Sequence, residues 1–291
     1  MRSLLLRAKN SLHNVNPLAK FDGLSDSSAF TYKRGMFVTL LIVAATFIIT
    51  QVFMLLPYLL MAEAKNHGWL LHTFLNQDML HHPLITSSVV QGLSYICGMS
   101  AAVAFLWSIL RKSGFGLRKL NQTAIHSTKD FLSNLTRAIA YLAVGDILVA
   151  GLYKALSYLP SPNSPAGDFG QTLHSIPAFA GFAFMTVVLA PLFEELVFRG
   201  FFFNMFQCSL NNSKLLKFLR LNSLATPMAI LLCGAVFAGF HGTLSGFPPL
   251  FILGCVLAFT YNQTKHLSCS RMIHFLNNLL ATFALYVAVF H

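Results

Sequence analysis

Between positions 191 and 200 the chain reads Pro-Leu-Phe-Glu-Glu-Leu-Val-Phe-Arg-Gly, which puts two acids and a base inside an otherwise apolar run. Ionisable groups in such a run are costly, and each marks a candidate functional site. On a helix Glu195 and Arg199 lie four residues apart, about 40° around the axis, so they can pair with the acid N-terminal. Glu194 lies about 140° from Arg199 and has no local partner. One carboxylate is thus satisfied within its own helix and the other is free for proton transfer. Proline removes a helix hydrogen bond and can open a new helical segment. Pro191 therefore predicts a break that leaves Glu194 in a first turn, where exposed amides favour its anion. Apolar surroundings act in the opposite sense. A carboxylate held between these influences is suited to take a proton from water near neutral pH.

Two further groups accompany it. Phe237-Ala238-Gly239-Phe240-His241 places Phe237 and His241 on one helical face, with Gly234 and Gly239 allowing close approach of another backbone. His274-Phe275-Leu276-Asn277-Asn278 places His274 and Asn278 one turn apart. A single histidine of this kind is usually a satisfied structural group. Two acids, an arginine, two histidines and an asparagine within three apolar segments call for a shared purpose. Glu194, His241 and His274 also form a set able to hold zinc with water in the fourth position.

The elements that must position these residues lie in a bilayer. The chain has 291 residues, 55% of them hydrophobic and 10% charged, with 28 phenylalanines and a mean hydropathy of +0.63. Soluble domains carry about 25% charged residues. Seven segments approach the 20 or so apolar residues of a membrane-crossing helix: approximately 36–62, 84–110, 132–156, 176–206, 227–241, 249–264 and 272–291. The fold class expected is all-α and polytopic, with six to eight spans. The sixth segment is short and contains Gly254, which suggests a core helix that never meets lipid. Sixteen of the 20 Lys and Arg fall in the N-terminal tail and in the second–third, fourth–fifth and sixth–seventh connections, whereas the opposite connections hold Lys65 alone. That bias predicts a cytoplasmic N-terminus. The net charge of +11 then reports topology, not nucleic acid. Residues 1–34 read as a basic tail without a secretory signal, 35–170 as about three helices, and 171–291 as the region bearing the chemistry.

EExxxR at Glu194–Arg199, FxxxH at Phe237–His241 and HxxxN at His274–Asn278 resemble, in order and spacing, the three motifs of the CPBP intramembrane proteases. That family includes the type II CAAX prenyl endopeptidases and bacteriocin-processing or immunity proteins. The resemblance covers roughly Ile176 to Tyr286. It implies an all-helical peptidase with its site sunk in the membrane. It further implies that Glu194 activates the hydrolytic water with help from His241, that His274 and Asn278 hold the oxyanion, and that Glu195, Arg199 and Phe237 support the site. A glutamate-activated water needs no metal, so no cofactor is expected, with zinc on Glu194, His241 and His274 as the alternative. The expected partners are the lipid bilayer and a peptide or membrane-protein substrate, prenylated ones included. The expected location is a bacterial cytoplasmic (inner) membrane. A non-catalytic immunity or scaffold protein of the same fold is the alternative function.

Other features read more plainly. The five cysteines form no CxxC pair and read as packing. Lys214–Leu221, with a basic residue every third position, suggests a helix lying in the cytoplasmic interface. Asp146 reads as an acid in a structural hydrogen bond, with the lining of an entry groove as the alternative, and His67, His72, His81 and His82 read as interfacial residues. One difficulty concerns depth. At 1.5 Å per residue, Glu194 and His241 each lie about 20 Å from the cytoplasmic ends of their spans, whereas His274 lies only about 5 Å beyond Arg271. Either the fourth helix breaks near Gly200, or Arg271 is sunk below the membrane surface.

Overall fold

The computed structural model describes residues 32–67, 83–113, 128–155, 176–242 and 246–290. The first 31 residues and the histidines at 72, 81 and 82 lie outside them. Among the described residues the fold is all helix. Seven long helices run in chain order: α1 (Met36–His67), α2 (Pro83–Leu110), α3 (Thr128–Ala155), α4 (Ile176–Asn211), α6 (Ala225–Phe240), α7 (Phe247–Thr264) and α8 (Leu267–Phe290). A short helix, α5 (Lys214–Phe218), links α4 to α6. Six of the long helices, all but α7, are long and apolar enough to cross a membrane. The chain is an all-α polytopic membrane protein.

Backbone polar groups in a bilayer must find partners within the protein, which is why an apolar run folds as helix. The same rule governs the hydroxyls. Thr46 and Thr50 bond back to the carbonyls of Ile42 and Thr46 at 2.7 and 2.8 Å. Without a hydrophobic force between helices in lipid, close approach depends on small residues. A Cβ on Gly254 would lie 2.8 Å from the Gly234 Cα, so α6 and α7 cross backbone to backbone. At Gly98 a Cβ would lie 2.8 Å from the Thr50 carbonyl, marking a similar crossing of α2 on α1. Gly254 is thus a contact point and does not interrupt α7. No residue of α7 is exposed, in keeping with a helix that never meets lipid.

At one end of the bundle the described residues are tied together by polar side chains. There the Ser209 hydroxyl donates to the Arg34 carbonyl at 3.0 Å and lies 2.6 Å from the Thr39 hydroxyl. Asn212 donates to the Tyr32 carbonyl, and Gln207 reaches Thr226 and Asn262. These bonds tie the entry to α1, the end of α4, the start of α6 and the end of α7 together. Helix α5 begins at Ser213, whose side chain accepts from the Leu216 amide. It exposes Leu215 and Phe218 beside Lys214 and Lys217, the composition of an interfacial helix.

Helix α4 departs most from expectation. It does not break at Pro191 or near Gly200. Instead it widens twice into π turns, at Met185–Leu189 and Leu196–Phe203, and continues. The first widening precedes Pro191. In that register the Ala190 amide bonds to the Met185 carbonyl, so the Thr186 carbonyl would next need the amide that proline lacks. The Asn278 Nδ2 of α8 supplies the donor instead, at 2.8 Å. The second widening frees further carbonyls. Phe198 O accepts from Cys233 Sγ, and Arg199 O and Gly200 O accept from Asn204 Nδ2 at 3.1 and 2.8 Å.

Candidate active site

Glu194 and Glu195 lie on the six-residue α-helical stretch between the two π turns, both buried. Their fates divide along the lines their helical phases suggest. Glu195 Oε1 accepts from Arg199 Nη1 at 2.7 Å, with both side chains fully buried. Arg199 Nη2 donates to the Gly254 carbonyl at 3.1 Å, which the Gly234–Gly254 crossing brings within reach. The guanidinium also stands 4.6 Å over the Phe237 ring. Its charge is therefore met by an acid, a carbonyl and an aromatic face, and it fixes α4 against α6 and α7.

Helix α8 brings His274 into the same cluster. Its Nδ1 lies 2.9 Å from Glu195 Oε1 and its Nε2 lies 3.8 Å from Glu194 Oε2. His241, at the end of α6, points its Nδ1 at the Phe237 carbonyl, 2.8 Å away, and its Nε2 at Glu194 Oε2, 4.0 Å away. A carbonyl can only accept, so His241 Nδ1 carries a proton and donates it to Phe237 O, which leaves Nε2 facing Glu194. Phe237 lies against both imidazoles, with ring centroids 4.7 Å from His241 and 5.7 Å from His274. Glu194 Oε2 has no hydrogen-bond partner and faces the two Nε2 atoms.

The depth difficulty resolves without a break in α4. Phe240 packs on Phe47 eleven residues into α1, and Glu194 stands midway along the 36 residues of α4. The start of α8 is drawn inward. The part-buried Arg271, in the second turn of α8, donates to the Leu192 carbonyl, two residues from Glu194. All three motifs thereby meet near the middle of the bundle.

Six of the seven site residues read from the sequence share this cluster: Glu194, Glu195, Arg199, Phe237, His241 and His274. Asn278 stands one turn beyond, with its amide on the Thr186 carbonyl and its Oδ1 accepting from Asn277. Sequence reasoning missed Tyr95 of α2, whose hydroxyl donates to Glu194 Oε1 at 3.0 Å. The Tyr95 ring leans on Phe193, 6.4 Å between centroids. The only sequence signal was a hydroxyl-bearing aromatic in mid-span. Asp146 is not buried; it lines a cavity of about 200 Å³ with Tyr141, Gly246 and Asn277. Of the two readings of Asp146, its place on this cavity agrees with the groove-lining one and not with the structural hydrogen bond.

Among the described residues no group of three His, Cys, Asp or Glu side chains is arranged to hold a metal ion. The 3.8 and 4.0 Å separations at Glu194 exceed the roughly 3.4 Å between ligand atoms of a tetrahedral zinc with bonds near 2.1 Å. As arranged, the three side chains do not fit zinc.

A helical membrane protein with a carboxylate–histidine site buried between its spans is the class that fold and geometry define. Residues 176–280 match the family model described as type II CAAX prenyl endopeptidase, Rce1-like. That segment holds every motif above and is similar to that family, and α1, α2 and α3 lie outside the match. No curated protein and no solved structure matches the chain.

Proposed function

We propose that this protein is an intramembrane endopeptidase that hydrolyses a peptide bond with a water activated by Glu194. The observation that carries the reading is the buried, unpartnered Glu194 Oε2 facing the Nε2 atoms of His241 and His274. A water about 2.8 Å from Oε2 and from either nitrogen spans such separations. In the proposed reaction Glu194 takes a proton from this water as its oxygen bonds to the scissile carbonyl carbon. The carbonyl electron pair moves onto its oxygen. Collapse of the tetrahedral intermediate then breaks the C–N bond, and Glu194 returns the proton to the departing amine.

The neighbours divide the remaining work. His241, with Nδ1 committed to the Phe237 carbonyl, offers its Nε2 lone pair to orient the water. In the proposed step His274 donates Nδ1–H to Glu195 and carries a second proton on Nε2, so that as an imidazolium it directs Nε2–H at the oxyanion. Asn278 keeps one amide hydrogen for the same oxygen, the other being spent on Thr186. Glu195 and Arg199 hold the His274 ring in place.

The substrate class is a peptide or membrane-protein segment, prenylated chains included, presented within the bilayer. Nucleic acid has no part in the reading. The membrane is a bacterial cytoplasmic membrane, with the N-terminus and the basic connections inside. No metal is required. The test is cleavage of a quenched library of plain and prenylated peptides by purified protein, with and without chelator. Activity that survives chelation and falls with Glu194→Gln and His241→Ala supports the proposal. Activity abolished by chelator, or undiminished in Glu194→Gln, overturns it.

A further inference from the structure

We propose that the cavity between α3, α4 and α8 receives the C-terminal end of the substrate, whose free carboxylate is read by Arg271. The proposal deepens the endopeptidase reading and rests on it for the word substrate.

The three helices form a cavity of about 470 Å³, within the roughly 300–1,000 Å³ of ligand sites. Phe131 and Leu135 of α3, Pro191 and Leu192 of α4 and Phe275 of α8 give it apolar walls. Arg271 and Ser268 are the only polar side chains among the residues that line it. Apolar walls with one charged group at a fixed place hold a ligand and set its orientation. This cavity therefore suits an apolar chain that carries a single negative charge. Helix α3 lies outside the matched segment, so its wall is not part of what the three motifs encode.

The charged group stands close to the reacting centre. Arg271 precedes His274 by three residues on α8, which places the two on neighbouring faces one turn apart. Its Nη2 donates at 3.4 Å to the carbonyl of Leu192, two residues before Glu194. Both ends of that bond line the cavity, so the guanidinium is held at the cavity wall. A guanidinium carries five N–H donors in a planar fork, and a carboxylate accepts two of them side by side. The other arginine near the site cannot take this part. Arg199 is fully buried and committed to Glu195 and the Gly254 carbonyl.

Position and wall chemistry together select the anion. A group bound one turn from His274 while a peptide is hydrolysed belongs to that peptide. A strand lying along apolar walls presents apolar side chains, and its remaining charge is the terminal carboxylate. The levels of Arg271 and His274 differ by about 4.5 Å, and an extended chain spans about 3.3–3.6 Å per residue. The bond cleaved then lies within the last few residues of the substrate, and the product released is a short apolar peptide.

The test is a binding measurement that needs no turnover. The full chain carrying Glu194→Gln, in nanodiscs of zwitterionic lipid, is titrated with a dansyl-labelled peptide of leucine and valine. The peptide is used with a free C-terminal carboxylate and, in parallel, as its C-terminal amide. The acid is expected to bind at least about tenfold tighter, the effect of hydrogen bonds to a charged group. Adding Arg271→Met should remove that preference, whereas Arg271→Lys keeps the charge without the fork and should retain part of it. Leu135→Trp fills the cavity from α3 and should weaken acid and amide alike. Equal binding of acid and amide in the presence of Arg271, or an acid preference that persists in Arg271→Met, overturns the proposal. Binding untouched by Leu135→Trp, or binding of neither peptide, overturns it as well. A phospholipid that copurifies with the chain and is lost in Arg271→Met assigns the guanidinium to a lipid phosphate, which also overturns it. If Arg271→Met fails to fold, Arg271→Lys and Leu135→Trp decide. Cleavage of the peptide during the titration, seen by mass spectrometry, would count against Glu194 as the base alone, so the two readings fail separately.

Discussion

Replacing Arg199 by Met keeps most of the side-chain length and removes the charge, leaving Glu195 buried with His274 and Ser270 as its partners. Arg199 and Glu195 are both fully buried and 2.7 Å apart, so water cannot compensate the orphaned carboxylate. Breaking such a pair costs about 3–5 kcal/mol. The donated bond to Gly254 and the stacking on Phe237 add to the loss. Glu195→Gln in the same chain removes the orphaned charge, so the double variant should be more stable than Arg199→Met alone. The coupling expected from the double-mutant cycle is roughly 2–3 kcal/mol. The assay is reversible unfolding of the purified protein in mixed micelles, followed by tryptophan fluorescence and fitted for wild type, both single variants and the double variant. Additive losses within about 0.5 kcal/mol would refute the idea that Arg199 serves to neutralise Glu195.

Other expectations follow from the same contacts. Tyr95→Phe keeps the ring on Phe193 and deletes the donor to Glu194, so turnover should fall about 10- to 100-fold at nearly constant KM, read on any peptide the wild type cleaves. Asn278→Ala should cost about 1–3 kcal/mol by orphaning the Thr186 carbonyl, and clearly less in a Pro191→Ala background, where the restored amide can serve that carbonyl; equal losses in both backgrounds would contradict the account of the first π turn. Gly254→Ala forces a Cβ against Gly234 and should cost about 1–3 kcal/mol, with activity falling in parallel as Arg199 loses its carbonyl; thermal stability and turnover check both.

The helical bundle was legible because a bilayer leaves few options: long apolar runs become helices, and the basic residues between them sort by side. The division of labour between Glu194 and Glu195 was legible too, since helical phase alone separates the acid that pairs with Arg199 from the one that does not. Three things were not. A proline signals trouble for a helix but not its remedy, and α4 answered with a π turn and a side chain borrowed from Asn278 instead of a break. Depth could not be read from residue counts, because Arg271 lies beside Leu192 and not at the level of the helix ends. Tyr95 was invisible because its partner is 99 residues away and its own helix gives no pattern that points to Glu194.

The central claim is that Glu194 is the base, and one comparison tests it most directly. Turnover of a peptide cleaved by the wild type is measured for Glu194→Gln in proteoliposomes with chelator present. The change keeps size and hydrogen bonding while removing the proton acceptor, and the account predicts a fall of about 10²–10⁴ in kcat. Cleavage by Glu194→Gln within a few-fold of the wild-type rate would contradict it.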